Sequence, residues 1–165
     1  MSMLLALGLS IGVLIAIWTY LAVVPAQLPV WAGIVAWACF FAAGGKTEGL
    51  IKTLGSTLSG VFWAFVALTL YQRFGGTNPV ILAVLVGLIA LAMVLQSRAG
   101  VLSFIPGAFL GAATTVSVVV AANGTYPKTI IALVAGAVFA WLSEALAGAL
   151  AGAGRKPAAA PRPAA

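Results

Sequence analysis

No histidine and no aspartate occur in this chain, cysteine appears once, at Cys39, and the only acids are Glu48 and Glu144. Without a second thiol no intramolecular disulfide can form, and no cluster of His, Cys and carboxylate ligands can assemble within one protomer. No nucleophile–base pair, phosphate loop or metal-ligand spacing occurs, so the chain is expected to be no enzyme and to carry no cofactor. Charge is also scarce. Only 6% of residues are charged, against about 25% in a soluble domain. The formal charge of +6 comes from eight Lys and Arg residues. They fall in links and tail and form no basic face, so nucleic acid is not an expected partner.

What fills the chain is apolar sequence. Hydrophobic residues make up 64% of it, in six stretches over about residues 3–24, 28–43, 48–71, 79–95, 101–122 and 128–150. A helix rises about 1.5 Å per residue, so about 20 residues cross a hydrocarbon core of about 30 Å. Lipid must cover this much apolar surface. The first stretch lacks a basic leader and, at about 22 residues, exceeds the h-region of a secretory signal, so it reads as a retained span. Residues 1–150 are therefore expected to form an all-α polytopic membrane domain of about six transmembrane helices. Residues 151–165, rich in Ala, Pro and basic side chains, are expected to be a disordered tail. Cys39, midway along the second stretch, reads as a small buried hydrophobe.

With six crossings, Lys46, Lys52, Arg98, Arg155, Lys156 and Arg162 share one side, and only Arg73 and Lys128 lie on the other. The excess of positive charge orients both termini toward the cytoplasm. Sliding the chain against itself from Lys52-Thr53 to Lys128-Thr129 also aligns Gly60 with Gly136 and Ala64 with Ala140. The aromatic pairs Trp63/Phe139 and Phe65/Trp141 coincide in the same frame. The halves, about 3–74 and 79–150, each hold three spans. Three crossings reverse the direction, so the frame predicts two inverted repeats related by a pseudo-two-fold axis in the membrane plane.

Spans two and five correspond in this frame and are the irregular ones. Span two is short, and span five carries Pro106-Gly107 early, which predicts an interrupted helix with a freed carbonyl near Leu102. Such a break is either a packing kink or a pathway marker. The candidate pathway-lining residues are Trp31, Trp37, Phe40, Phe41, Phe104, Pro106, Gly107, Gly111, Thr114 and Thr115. Aromatics would constrict, glycines would permit close approach, and hydroxyls would replace lost hydration. The rival reading of the hydroxyls, including Thr53, Ser56, Thr57 and Ser59 in span three, is helix-to-helix glue. Gly8/Gly12, Gly107/Gly111, Ser56/Gly60 and Ala132/Gly136 repeat small residues at four-residue spacing, which favours close helix contacts within or between protomers. Glu144, the one acid inside an apolar run, is a candidate coupling acid or else a group reaching the interface.

The runs WAGIVAWACFFAAGG (31–45), LSGVFWA (58–64) and LSFIPGAFLGA (102–112) resemble a family of small bacterial inner-membrane proteins, domain of unknown function 1097. The likeness covers about residues 3–150. It implies a bacterial cytoplasmic membrane and about six spans, and it supplies neither a substrate nor active residues. The expected function is a channel or facilitator for a small polar solute through spans two and five, in a homo-oligomer within the lipid bilayer. The alternatives are a non-transporting accessory subunit of a membrane complex and an ion-coupled carrier built on Glu144. Fusing a reporter that fluoresces only in the cytoplasm to the C-terminus is expected to give fluorescent cells, and a periplasm-active phosphatase fused there is expected to be silent.

Overall fold

The computed structural model describes residues 2–153 and is helical throughout, with six α-helices and no strand among the described residues. These are α1 (Met3–Val23), α2 (Val30–Ala42), α3 (Lys46–Leu70), α4 (Pro79–Leu95), α5 (Ile105–Val116) and α6 (Tyr126–Ala153). Four segments are long and apolar enough to cross a membrane: Met3–Val23, Lys46–Gly75, Pro79–Arg98 and Tyr126–Gly152. The 13 residues of α2 reach only about 20 Å. The 12 residues of α5 are prolonged by a π-helical turn over Ser117–Ala121. Each half of the chain thus runs long, short, long.

Helix ends follow local chemistry. Ser2 caps α1 by accepting from the N–H of Leu5 at 3.3 Å. Asn78 caps α4 by accepting from the N–H of Val80 at 2.9 Å, with Pro79 in the first turn, where a missing N–H costs nothing. The same rule corrects the expectation for span five. Gly100–Leu102 is a 3-10 turn and α5 begins only at Ile105, so Pro106 opens the helix instead of interrupting it. No mid-helix carbonyl near Leu102 is freed, because the α-helix has not yet begun there. α6 runs three residues past the expected end at 150; the rest of the expected disordered tail, 154–165, lies outside the described residues.

The most extensive packing joins α3 to α5 and α2 to α6, followed by α1 with α6. Glycine explains both leading contacts. A Cβ on Gly60 would strike the carbonyl of Ala108, and one on Gly111 would strike that of Thr57. Across the other pair, a Cβ on Gly136 would strike the carbonyl of Gly33, and one on Gly33 would meet the Trp18 ring. Backbones this close maximise dispersion contact where lipid supplies no hydrophobic drive between helices. The interior is accordingly small: Ala6, Ala22, Ala32, Ala36, Ala108, Ala132, Ala137, Ala140 and Ala147 are fully buried. Large side chains point out instead, including Leu4, Leu9 and Val13 of α1 and Val80, Val84, Leu88 and Leu91 of α4.

Burial along α3 repeats along α6 in the frame set by sequence. From Leu50 to Phe65, and again from Tyr126 to Trp141, aligned residues share their degree of burial except at Leu54/Ile130 and Gly55/Ile131. Gly8 and Gly12, by contrast, face outward with nothing within 4 Å of an added Cβ. Gly111→Ala is expected to lower stability by about 2 kcal/mol or more, since the obstacle is backbone and cannot swing away. Gly8→Ala should change it by less than about 0.5 kcal/mol. Thermal melting in mild detergent distinguishes the two.

Candidate functional site

Among the described residues, most buried polar side chains are on α3 and α5 (Thr53, Ser56, Thr57, Thr114 and Thr115), with Ser10 on α1 and Thr129 and Ser143 on α6. α2 and α3 are joined by Gly44, Gly45 and Lys46, all with left-handed φ (100°, 68° and 56°), which turns the chain back sharply. A Cβ on Gly49 of α3 would lie 3.1 Å from the carbonyl of Phe40 on α2, which sets the register between the helices. One turn back from Phe40 is Trp37; one and two turns on from Gly49 are Thr53 and Ser56. Gly107, in the first turn of α5, sits over the Cβ of Ser56.

Most buried hydroxyls are satisfied by their own helix. Thr57 donates to Thr53 O at 2.7 Å, Thr115 to Gly111 O at 2.7 Å and Ser143 to Ala140 O at 2.6 Å. Among the described residues three buried groups have no partner: Trp37 Nε1, Thr53 Oγ1 and Ser56 Oγ. Thr53 and Ser56 are on α3, with Ser56 beside Gly107 of α5, whereas Trp37 of α2 packs in the core shared with α1 and α6, its ring 6.2 Å from that of Phe139.

A cavity opens at each end of the bundle. One, of about 600 Å³, is lined by Glu48, Ile51, Lys52, Gly100, Val101 and Ser103. The other, of about 260 Å³, lies among the α1–α2 and α5–α6 links and the starts of α2 and α6, with Gln27, Pro29, Trp31, Asn123 and Lys128 in its wall. Gln27 and Asn123 both hold left-handed φ, at 48° and 50°; Asn tolerates this conformation through local hydrogen bonding, and Gln does so less readily.

Glu144 bridges helices. Its Oε2 accepts from the backbone N–H of Lys46 at 2.6 Å. Gly45, at the N-cap of α3, has no side chain to offer, so an acid from α6 does what a capping residue normally does. The carboxylate also faces the positive end of the α3 dipole. At the preceding residue, Ser10 of α1 donates to the carbonyl of Ser143 at 2.8 Å, so α6 clamps both α1 and α3 near the same end.

The sequence family described as "Protein of unknown function (DUF1097)" matches residues 8–148. The chain belongs to the DUF1097 family. It is 33% identical over 143 residues to "Inner membrane protein YcdZ" of Escherichia coli (strain K12), covering 86% of this chain and 83% of that protein. The Salmonella typhimurium protein of the same name is 31% identical over 142 residues, covering 86% and 85%. "Uncharacterized protein YahC" of Escherichia coli is 31% identical over 153 residues, covering 87% and 90%. No solved structure matches the chain. The relatives' names and the outward apolar flanks agree on an integral, multi-pass inner-membrane protein.

Within this DUF1097 chain the expected lining residues scatter. Trp37, Phe40, Gly107, Gly111, Thr114 and Thr115 are buried, and Phe41 and Phe104 are half-buried, with Phe41 edge-on to Phe40 at 5.1 Å. Phe104 packs beside Gly107. Trp31 is exposed in the smaller cavity, and Pro106 is exposed at the start of α5. Cys39 is buried, as its position suggested. Lys52, Thr53, Ser56 and Lys128 are not among the expected lining residues; the repeated Lys-Thr pair is the sequence signal at Lys52, Thr53 and Lys128. Glu144→Ala is expected to lower stability by about 1 kcal/mol through loss of the cap. Glu144→Gln keeps an acceptor and should lose less, as melting of the two variants side by side would record.

Proposed function

We propose that this DUF1097 protein is a narrow conduit for a small polar solute in the bacterial inner membrane, built on α2 and α5 with α3 beside them. One observation carries the reading: Trp37 Nε1, Thr53 Oγ1 and Ser56 Oγ are buried without a partner. An unpaired buried donor or acceptor costs about 1–3 kcal/mol, and hydrocarbon supplies no compensating water. A chain needing only packing at these places would be more stable with Ala, Val or Phe. Polar groups retained at buried positions of α2 and α3 suit a solute that pairs with them as it passes.

The wider frame of the proposal is six crossings with both termini cytoplasmic and two inverted halves. It is supported by the matching burial of α3 and α6 and by the exchange of close partners, α3 with α5 and α2 with α6. Under a two-fold swap of the halves these two contacts trade places, each built on glycine against backbone. In the same frame the cavities at the two ends are the mouths of one path, closed between them by packed side chains. A second reading, an accessory subunit or homo-oligomer contact, is favoured by Gly8 and Gly12, which offer a small-residue face to the outside. Ion-coupled carriage draws less support, because Glu144 is engaged at the start of α3.

Stopped-flow swelling of proteoliposomes with a panel of small solutes tests the conduit. At least one solute is expected to enter faster than into empty liposomes. Ser56→Ala and Thr53→Val, each deleting an unpaired hydroxyl, should raise or preserve the melting temperature while reducing that flux. Flux no greater than in empty liposomes for every solute would refute the reading.

A further inference from the structure

The repeat carries Lys52 onto Lys128, and each lysine lines one of the two end cavities. Each cavity also receives the segment leading into a short helix: Val101 and Ser103 before α5, Leu28 and Pro29 before α2. Neither short helix has a side-chain cap at its N-terminus. The partial positive charge of that terminus therefore adds to the lysine beside it.

The acids are unequally placed. Glu48 pairs with Lys52 at 2.7 Å and Glu144 accepts from Lys46, so both acids of the chain are engaged at the same end. At the other end the repeat puts Gly124 where Glu48 would stand, and among the described residues Lys128 has no acid to pair with. Beyond the Lys52 cavity the unpaired groups begin at once. Thr53 is its chain neighbour, and Ser56 lies one turn further on the same helix face; both are fully buried. Both hydroxyls can donate a hydrogen bond, and the unpaired Trp37 indole can only donate.

We infer that the path selects small monovalent anions, drawn to the Lys128 mouth and passed over unpaired donors toward Lys52. The inference rests on the conduit reading and names its substrate class. A cation and a helix N-terminus at the mouth attract negative charge, and neutral donors inside can pair with an anion without holding it as a buried lysine would. Glu48 offsets Lys52, so the two mouths attract anions unequally, and the stronger attraction is at Lys128.

The test uses the full chain in proteoliposomes, with nitrate and formate as anionic probes and glycerol and urea as neutral ones. The quantity read is the ratio of anion to neutral permeability within one preparation, which partial loss of folded protein does not shift. Wild type is expected to show anion flux well above empty liposomes. Lys128→Gln should lower the ratio about tenfold, Lys128→Arg should retain it, and raised ionic strength should shrink the difference. Glu48→Gln should raise the ratio, an independent reading in the opposite direction. Neutral flux without anion flux, or a ratio indifferent to Lys128→Gln, overturns the anion inference and leaves the conduit standing. Absence of flux for every probe overturns both.

Discussion

Backbone meets backbone most closely at two places in this bundle, Gly60 and Gly111 between α3 and α5, and Gly33 and Gly136 between α2 and α6. Everything else is arranged around these contacts. Lipid is as apolar as any side chain, so helices gain little by burying leucine against leucine and much by fitting closely. The result inverts the distribution of a soluble protein: alanine, glycine, serine and threonine lie inside, and the large aliphatic residues lie outside. The two contacts also tie the halves of the chain together, since each joins a helix of one half to a helix of the other.

Close fit leaves little room for polar groups that lack partners. Thr57, Thr115 and Ser143 meet that constraint by bonding to carbonyls within their own helices. Trp37 on α2 and Thr53 and Ser56 on α3 do not meet it. The function proposed here follows from that exception. Glu144 shows the opposite outcome: a carboxylate in an apolar run, with one oxygen engaged by the N–H at the start of α3.

Much of the fold was legible in the residues. Helix limits at Val23, Ala42, Leu95 and Pro79 follow from the apolar runs and from Pro, Gly and Asn between them. The pairing of Lys52-Thr53 with Lys128-Thr129 anticipated that α3 and α6 would bury the same faces, because helical phase is carried by spacing alone. Pro106 misled because proline is tolerated in a first turn and disruptive in an interior. Which applies depends on where the preceding residues stop being α-helical, and the 3-10 turn at Gly100–Leu102 is a matter of its contact with α3. The burial of the aromatics was legible only in part for a similar reason. Trp31 and Trp37 both fit an apolar pattern, yet one faces a cavity and the other the core.

By itself, the sequence determined the solvent, the number of apolar helices and the family, because hydropathy and spacing are properties of residues and their order. It also determined which glycines could lie against another backbone. Only the tertiary structure decided which of them do. Gly60 and Gly111 meet α5 and α3 while Gly8 and Gly12 meet nothing, and no local pattern separates the two pairs. The cap on α3 was decided the same way, since its carboxylate comes from a residue nearly a hundred positions away (|i−j| 98). A contact between distant segments depends on how every intervening helix packs, and that is a property of the assembled bundle.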